Sequence, residues 1–355
     1  MRNLMYLLLG LTVFLAACGN GSGEDASAEG NPDESDSAEA NDDPIVLVWY
    51  PNESGNELED GRDEMGAIIE EATGREVEHQ LTTDYAIAIE SIVNDNADLA
   101  FTGAEGYIQA NDRNDAIQPL VVPSGPSGTE EDALYYSWFA ATPENMEEYS
   151  DGEGGYALDN FEDKNFSFVS SSSTSGFRVP SSTLVAHFSE QEEYADLEAE
   201  DLAESGTLFN EVMFGNTHQG SAVNLLNGRA DIAAFCDTCV ENYVEVVDGE
   251  ENTAGAIYQI SEDAAQPFES MGGEEFGIIS ATPVLNAPFI MNTGTLSEEE
   301  VASLSETMTS DEVANNEKIF VPEDSDAPAL FTKSADERFV EVEDSWFDPI
   351  RELNQ

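Results

Sequence analysis

What most constrains the fold is a repeated alternation between short apolar runs and segments with helical spacing. Ile45 to Tyr50 is an unbroken apolar run, the pattern of a strand buried on both faces of a parallel sheet. A turn over 51–55 follows. Leu58, Met65, Ile68, Ile69 and Ala72 then trace one face of a helix that stops at Gly74. The pattern repeats: strand 77–81, a helix capped by Asp84 with Ala88, Ile89, Ile92 and Val93 on one side, strand 97–101 ending at Thr102 and Gly103, a short helix over 107–110, and strand 117–122. Strands alternating with helices predict a doubly wound α/β unit.

A second block of the same kind follows. The aromatic run 133–141 has strand character, and strands are expected at 166–169, 212–214, 232–235, 256–260 and 276–280, with helices over 179–188 and 222–227. Residues 287–292 form another extended run. Two amphipathic segments, 298–308 and 310–319, lead to a C-terminal region with Phe331, Phe339, Trp346 and Phe347. The expected arrangement is an insertion of the second block into the first, with the chain crossing near 134–142 and again near 280–292. Ligands of open α/β sheets bind beyond the carboxyl ends of the strands, so two such blocks facing each other would enclose a cleft.

The N-terminus carries an address. Arg2, the apolar stretch from Leu4 to Phe14 and Leu15-Ala16-Ala17-Cys18 form a secretory signal pattern over residues 1–18. Its end resembles a bacterial lipobox, with Cys18 as the lipidated residue after cleavage. No other run approaches the roughly 20 apolar residues needed to span a bilayer. Residues 19–43 contain nine Asp or Glu and no Lys or Arg. Such a segment is expected to stay disordered and extended as a tether, holding the body of the protein off the membrane. These features predict an exported protein on the extracytoplasmic face of the cell membrane, attached by lipid alone.

The charge balance is extreme: 75 acidic against 11 basic residues, a formal charge of −64. Nucleic acid and anionic membrane surfaces are poor partners for such a chain. The acidic excess suggests adaptation to high salt, to alkaline pH or to both. Beyond Cys18 the only cysteines are Cys236 and Cys239, in Cys-Asp-Thr-Cys. That spacing fits a small disulfide, two thiols, half a metal site or a redox pair, and a structural role is the expectation. No cofactor and no metal are expected.

Two loops have the composition of anion seats. Ser170-Ser171-Ser172-Ser173-Thr174-Ser175-Gly176-Phe177 lies between a strand and a helix. The first N–H groups of a helix lack intrahelical partners, its dipole is positive there, and hydroxyls add donors. An ordinary Ser-rich N-cap is the alternative reading. The second loop, Phe214 to Ser221, again runs strand, polar turn, helix, with Asn216 or Thr217 able to cap and His218 in the first turn near the cleft rim. Nearness to the helix end tends to lower an imidazole pKa, and a neutral imidazole still donates one hydrogen bond. Asp237 follows a strand and could accept a proton or an amine from a ligand; a solvated acid is the alternative. No nucleophile–base–acid trio is evident, so a binding module is expected in preference to an enzyme. A phosphoester-processing or sensing lipoprotein using Ser175 and His218 is the alternative from a different class, and a binder of another oxyanion or of a carboxylate is the alternative within the binding class.

Ser173-Thr174-Ser175-Gly176-Phe177-Arg178-Val179-Pro180 resembles the signature of the phosphate/phosphite/phosphonate-binding lipoproteins of ABC importers. Asp84-Tyr85-Ala86, the stretch from Ala97 to Gly103, and His218 with Asn227-Gly228-Arg229-Ala230-Asp231 fit the same register, over roughly residues 45 to 350. The resemblance implies a type II periplasmic-binding-protein fold: two doubly wound α/β lobes joined by a two-strand hinge, with the ligand in the cleft between them. The corresponding boundaries are 44–136 and 292–355 for the first lobe and 137–291 for the second. It further implies a monomer that captures a small phosphorus oxyanion and delivers it to a permease and ATPase. Ser173, Thr174 and Ser175 would hold the oxygens, His218 would donate a further bond, and Asp237 matches the position of an acid that reads a ligand amine. Tyr50, Tyr85 and Thr102 complete the implied cleft. A second family acid falls near Ala287 here, and Thr102 stands where an aromatic donor is usual; both departures speak against an aminoalkylphosphonate and leave phosphite, phosphate and a small alkylphosphonate open.

Overall fold

The computed structural model describes residues 43–353. The expected signal segment, Cys18 and almost all of the tether lie outside them. Along the chain, strands β1 (Ile45–Trp49), β2 (Val77–Leu81), β3 (Leu99–Phe101) and β4 (Ile117–Pro123) alternate with helices α1 (Glu59–Thr73), α2 (Tyr85–Val93) and α3 (Ala104–Asn111). Gly74 closes α1 in a left-handed conformation, φ 74°, and the Asp84 carboxylate caps α2 by accepting from the Ala86 N–H at 2.7 Å.

A second set then follows: β5 (Leu134–Ala141), β6 (Asn165–Phe168), α4 (Val179–Phe188), β7 (Glu211–Phe214), α5 (His218–Leu226), β8 (Ile232–Cys236), β9 (Val244–Asp248), β10 (Ile257–Ile260) and β11 (Glu275–Leu285). The chain closes with β12 (Phe289–Asn292), α6 (Glu298–Met308), α7 (Asp311–Ala314), β13 (Phe320–Pro322), β14 (Phe331–Lys333), β15 (Phe339–Val340) and α8 (Asp348–Glu352).

These strands form two mixed sheets and a small parallel pair, β13 with β14. The first sheet runs β15-β4-β12-β3-β1-β2, with β1 parallel to β2 and β3 and with β12 antiparallel to β3 and β4. The second runs β7-β6-β8-β5-β11-β10-β9, with β6 parallel to β7 and β8. The chain enters the second sheet through β5 and leaves it through β11, and these two strands lie side by side, Leu134 opposite Leu285. Asn286, just past β11, ties the crossing together: its N–H donates to Ala133 O at 2.9 Å and its side chain to Pro123 O at 2.8 Å.

Both faces of both sheets are covered, as the unbroken apolar runs predict. Ile45, Leu47 and Trp49 pack with Met65 and Ile69 of α1 and Leu304 of α6, while Val48 packs with Ile89 and Ile92 of α2 on the other face. In the second sheet Phe166 and Phe168 pack with Leu184 and Phe188 of α4, and Ala233 and Phe235 with Ala222 and Leu225 of α5. This is the type II periplasmic-binding-protein architecture expected from the sequence.

Three helices differ from their expected extent. Helix α3 is longer than the expected 107–110, spanning Ala104–Asn111. Helix α5 starts at His218 rather than 222, because the Thr217 hydroxyl caps it by accepting from the Gly220 N–H at 2.7 Å. The segment 310–319 is helical only over Asp311–Ala314, and two consecutive asparagines, 315 and 316, end it. The strand β9 and the three-residue strands near the C-terminus carry too little apolar periodicity to stand out. Among the described residues no helix is long and apolar enough to cross a membrane.

Candidate functional site

A cavity of about 250 Å³ lies where the carboxyl-end loops of the two sheets meet. Its wall includes seven of the eight expected ligand residues: Tyr50, Tyr85, Thr102, Ser173, Thr174, Ser175 and His218.

The first seat is the loop after β6. Ser173 is extended and its Oγ accepts from the Gly176 N–H at 3.0 Å, starting a π-helical turn, Thr174–Arg178, that runs into α4. Gly176 is there for space. A Cβ on it would stand 2.3 Å from Val169 Cγ2, closer than two carbons can approach. Ser173, Thr174 and Ser175 are all buried. Thr174 Oγ1 accepts from the Glu105 N–H at the start of α3, at 2.9 Å, so this seat is stitched to the other sheet's helices. Arg178, the only basic residue of the motif, does not line the cavity and points its guanidinium to Glu105 at 3.5 Å.

The second seat is the loop after β7. Asn216 takes a left-handed conformation, φ 62°. A Cβ on Gly215 would stand 2.2 Å from Ser221 N, so the backbone folds tightly over the first turn of α5. His218 is thereby buried in the cavity wall, 3% exposed, and not at a rim. Its Nδ1 accepts from the Cys236 N–H at 3.0 Å. The ring proton therefore sits on Nε2, which faces Ser173 Oγ at 3.3 Å. Burial pulls the imidazole pKa down to about 3, so the ring is neutral. The cause is desolvation, where the sequence suggested the helix end.

The first sheet contributes aromatic and polar groups. Tyr50 packs against Tyr85 with ring centroids 4.2 Å apart and the ring planes tilted by 45°. Burial raises both phenols well above their usual range, so both stay protonated. Tyr85 Oη accepts from Asn52 Nδ2 at 2.7 Å, and Asn52 Oδ1 accepts from the His218 N–H at 3.1 Å. Asn52 thus links the first sheet to the second seat. By contrast Tyr50 Oη and Thr102 Oγ1 are buried and have no hydrogen-bond partner. Such groups are costly unless something satisfies them.

Asp237 is the exception among the expected residues. It is not part of the cavity wall; its Oδ1 accepts from the Tyr136 N–H at 2.8 Å, holding the end of β8 to β5. Burial raises its carboxyl to about 6, against hydrogen bonds that lower it. Cys236 and Cys239 are joined as a disulfide with Cα atoms 5.4 Å apart, and both line the cavity. With the sulfurs bonded to each other, neither is available as a thiolate ligand beside His218. Sequence reasoning missed Asn52, Tyr135 and Gln219 in the wall. Asn52 and Tyr135 sit outside the two anion-seat loops, and only the folding of the two sheets brings them in; Gln219 lies within the second loop, beside His218.

A family model described as the periplasmic substrate-binding protein of phosphonate ABC transporters matches residues 47–347. The chain is 27% identical over 232 residues to the phosphate-import protein PhnD of Mycolicibacterium smegmatis, a match covering 65% of this chain and 64% of that protein. The matched part is thus slightly under two thirds of that relative's length. Among solved structures, a binding protein of an ABC phosphonate transporter from Pseudomonas aeruginosa superposes with a TM-score of 0.59 at 17% identity, covering 88% of this chain and 85% of the other. PhnD1 of Prochlorococcus marinus in complex with methylphosphonate gives the same TM-score at 14% identity, covering 88% and 97%. At those identities the likeness establishes the fold. The extent of the family match establishes the rest: this chain belongs to the phosphonate-binding family of periplasmic substrate-binding proteins of ABC transporters.

Proposed function

We propose that the cavity between the two sheets captures a small phosphorus oxyanion (phosphonate, phosphite or phosphate) and that the protein delivers it to a permease and ATPase. The lobes in this reading are 44–136 with 292–355, and 137–291. The observation that carries it is the pair of buried hydroxyls without partners, Tyr50 Oη and Thr102 Oγ1, in the same cavity as the Ser173 loop and His218 Nε2–H. Tetrahedral oxyanions present several acceptors in different directions. Hydroxyl and N–H donors from two strand-to-helix turns match that need at contact distance.

Binding without turnover fits the histidine. Nδ1 is occupied by the Cys236 N–H and Nε2 carries the proton, so no lone pair is left to take a serine proton. Residues 1–18 serve in this reading as a signal segment, with lipidation at Cys18 and an acidic tether up to residue 43. The mature protein is then a monomeric lipoprotein on the extracytoplasmic face, adapted to high salt by its formal charge of −64.

Calorimetry of the full chain in molar salt tests the ligand class, titrating phosphite, phosphate, methylphosphonate and 2-aminoethylphosphonate in turn. Saturable binding of at least one, weakened by Thr174→Ala or His218→Ala, is the expected result. A folded protein that binds none of the four would sink it.

A further inference from the structure

The disulfide lies within the support of the second seat. Cys236 is fully buried at the end of β8, Cys239 is partly exposed, and both line the cavity. Each half holds one residue of the first turn of α5. The Cys236 N–H donates to His218 Nδ1 at 3.0 Å, and Cys239 O accepts from Gln219 Nε2 at 2.9 Å. Gln219 Nε2 also reaches Asn52 O at 3.4 Å, and Asn52 Oδ1 accepts from the His218 N–H at 3.1 Å. His218 and Gln219 are thus tied at once to the disulfide and to the loop after β1.

The two halves are anchored unequally. Cys236 pairs with Ser137 in the ladder between β8 and β5. Just past it, the Asp237 N–H donates to Tyr136 O at 3.1 Å, and Asp237 Oδ1 accepts from the Tyr136 N–H at 2.8 Å. Cys239 lies beyond this anchor, in a turn closed by the Val240 N–H on Asp237 O at 3.0 Å. The sulfur–sulfur bond ties that turn back to β8. A ring nitrogen of His218 and both sulfurs lie within 4.8 Å of one another. Two thiols cannot stay at bonding distance, so cleavage moves the less anchored one. Cys239 then takes its carbonyl away from Gln219, and a thiol beside the imidazole offers sulfur as a competing acceptor for the ring N–H.

We propose that the Cys236–Cys239 disulfide is a positioning element of the oxyanion seat and makes it redox-sensitive: the bonded pair holds His218 and Gln219 ready for the ligand, and the dithiol form releases them. This rests on the oxyanion reading above. The switch needs a dithiol reductant. Its thiolate attacks the sulfur of Cys239, the more exposed of the two residues. The sulfur–sulfur bond breaks, and Cys236 leaves as a thiolate that takes up a proton. The second thiolate of the reductant then attacks the mixed disulfide, frees Cys239 as a thiol and closes the reductant's own disulfide. Two electrons and two protons pass from the reductant to the protein.

Calorimetry of the full chain in molar salt, titrating methylphosphonate and phosphate, compares the oxidised protein with the protein reduced by dithiothreitol. Reduction is expected to weaken affinity at least about tenfold, with recovery on reoxidation. The Cys236→Ser/Cys239→Ser double variant is expected to bind like the reduced protein and to ignore dithiothreitol. Nitrogen NMR of histidine-labelled protein reads the positioning itself. The His218 signals, assigned by their loss in His218→Ala, are expected to show the Nε2–H tautomer alone in the oxidised protein and a mixture after reduction. A thermal melt establishes that each form is folded. Equal affinity in the folded oxidised and reduced proteins overturns the proposal and leaves the oxyanion reading intact. So does a loss of affinity with unchanged His218 signals, since the imidazole is then not what the disulfide positions. Unfolding of both the reduced protein and the double variant assigns the disulfide to stability alone and also overturns it. Binding of neither ligand by the oxidised protein defeats the oxyanion reading itself.

Discussion

Two groups of residues in the cavity wall are built by opposite strategies. Ser173, Thr174 and His218 are polar, neutral and almost completely hydrogen-bonded into the backbone: Ser173 caps its own turn, Thr174 holds α3, and His218 is fixed by Cys236. Glu53 and Glu241, in the same wall, carry carboxyls that burial keeps protonated. The difference teaches what each group contributes. Pre-fixed donors meet an acceptor at little reorganisation cost, whereas buried acids tie the stability of the fold to pH.

The largest effect is expected where backbone meets backbone. Gly215→Ala would press a Cβ to 2.2 Å from Ser221 N, costing about 3 kcal/mol and moving His218, so that a thermal melt drops and oxyanion binding is lost together. His218→Ala removes one donor to a charged ligand and is expected to weaken binding by about 1.5–3 kcal/mol, ~10- to 100-fold in Kd.

Next come the acids. For each of Glu53 and Glu241 the unfolded chain ionises near 4.5 while the folded state holds its proton to about 8. The folded state thus binds more protons in that window, and stability falls as pH rises through it. Glu241→Gln should remove part of that fall, making the variant about 1–2 kcal/mol more stable than wild type at pH 9 once partial exposure is discounted. Chemical denaturation at pH 6 and pH 9 reads it out. His218 has the opposite sign. Its folded pKa of about 3 lies below the usual 6.5 of a free imidazole, so its contribution to stability grows as pH rises between the two.

A smaller effect separates binding from folding. Tyr50→Phe and Thr102→Val delete buried hydroxyls that have no partner in the free protein. Each variant should match wild-type stability or exceed it by up to about 1 kcal/mol while binding oxyanion several-fold more weakly. The smallest concerns Asp237→Asn. That carboxylate holds Tyr136 N–H outside the cavity wall, so methylphosphonate affinity should stay within about twofold. A larger loss would put Asp237 back in the site.

Much of this molecule is legible along the chain, and the reason is locality. The strands that read as unbroken apolar runs, Ile45–Trp49 and Ile232–Cys236, are central strands buried on both faces. The hydroxyl seat was legible because its cap, glycine and helix are contiguous. The buried acids of the wall were not, since Glu53 and Glu241 are two among 75 acidic residues and lie 188 positions apart. Nothing local distinguishes them from solvated acids; only the meeting of the two sheets does. Asp237 misled for the same reason, as its position past β8 is local information while the direction of its carboxylate is not.

The most direct test of the uncharged seat is the salt dependence of methylphosphonate affinity, measured by calorimetry on the full chain. At molar ionic strength the Debye length is roughly 3 Å, so long-range repulsion from the −64 charge is screened while contact hydrogen bonds persist. Affinity is therefore predicted to rise with salt and then level off. A steep, continuing loss of affinity with salt would mean that a cationic group carries the binding, and would contradict the account.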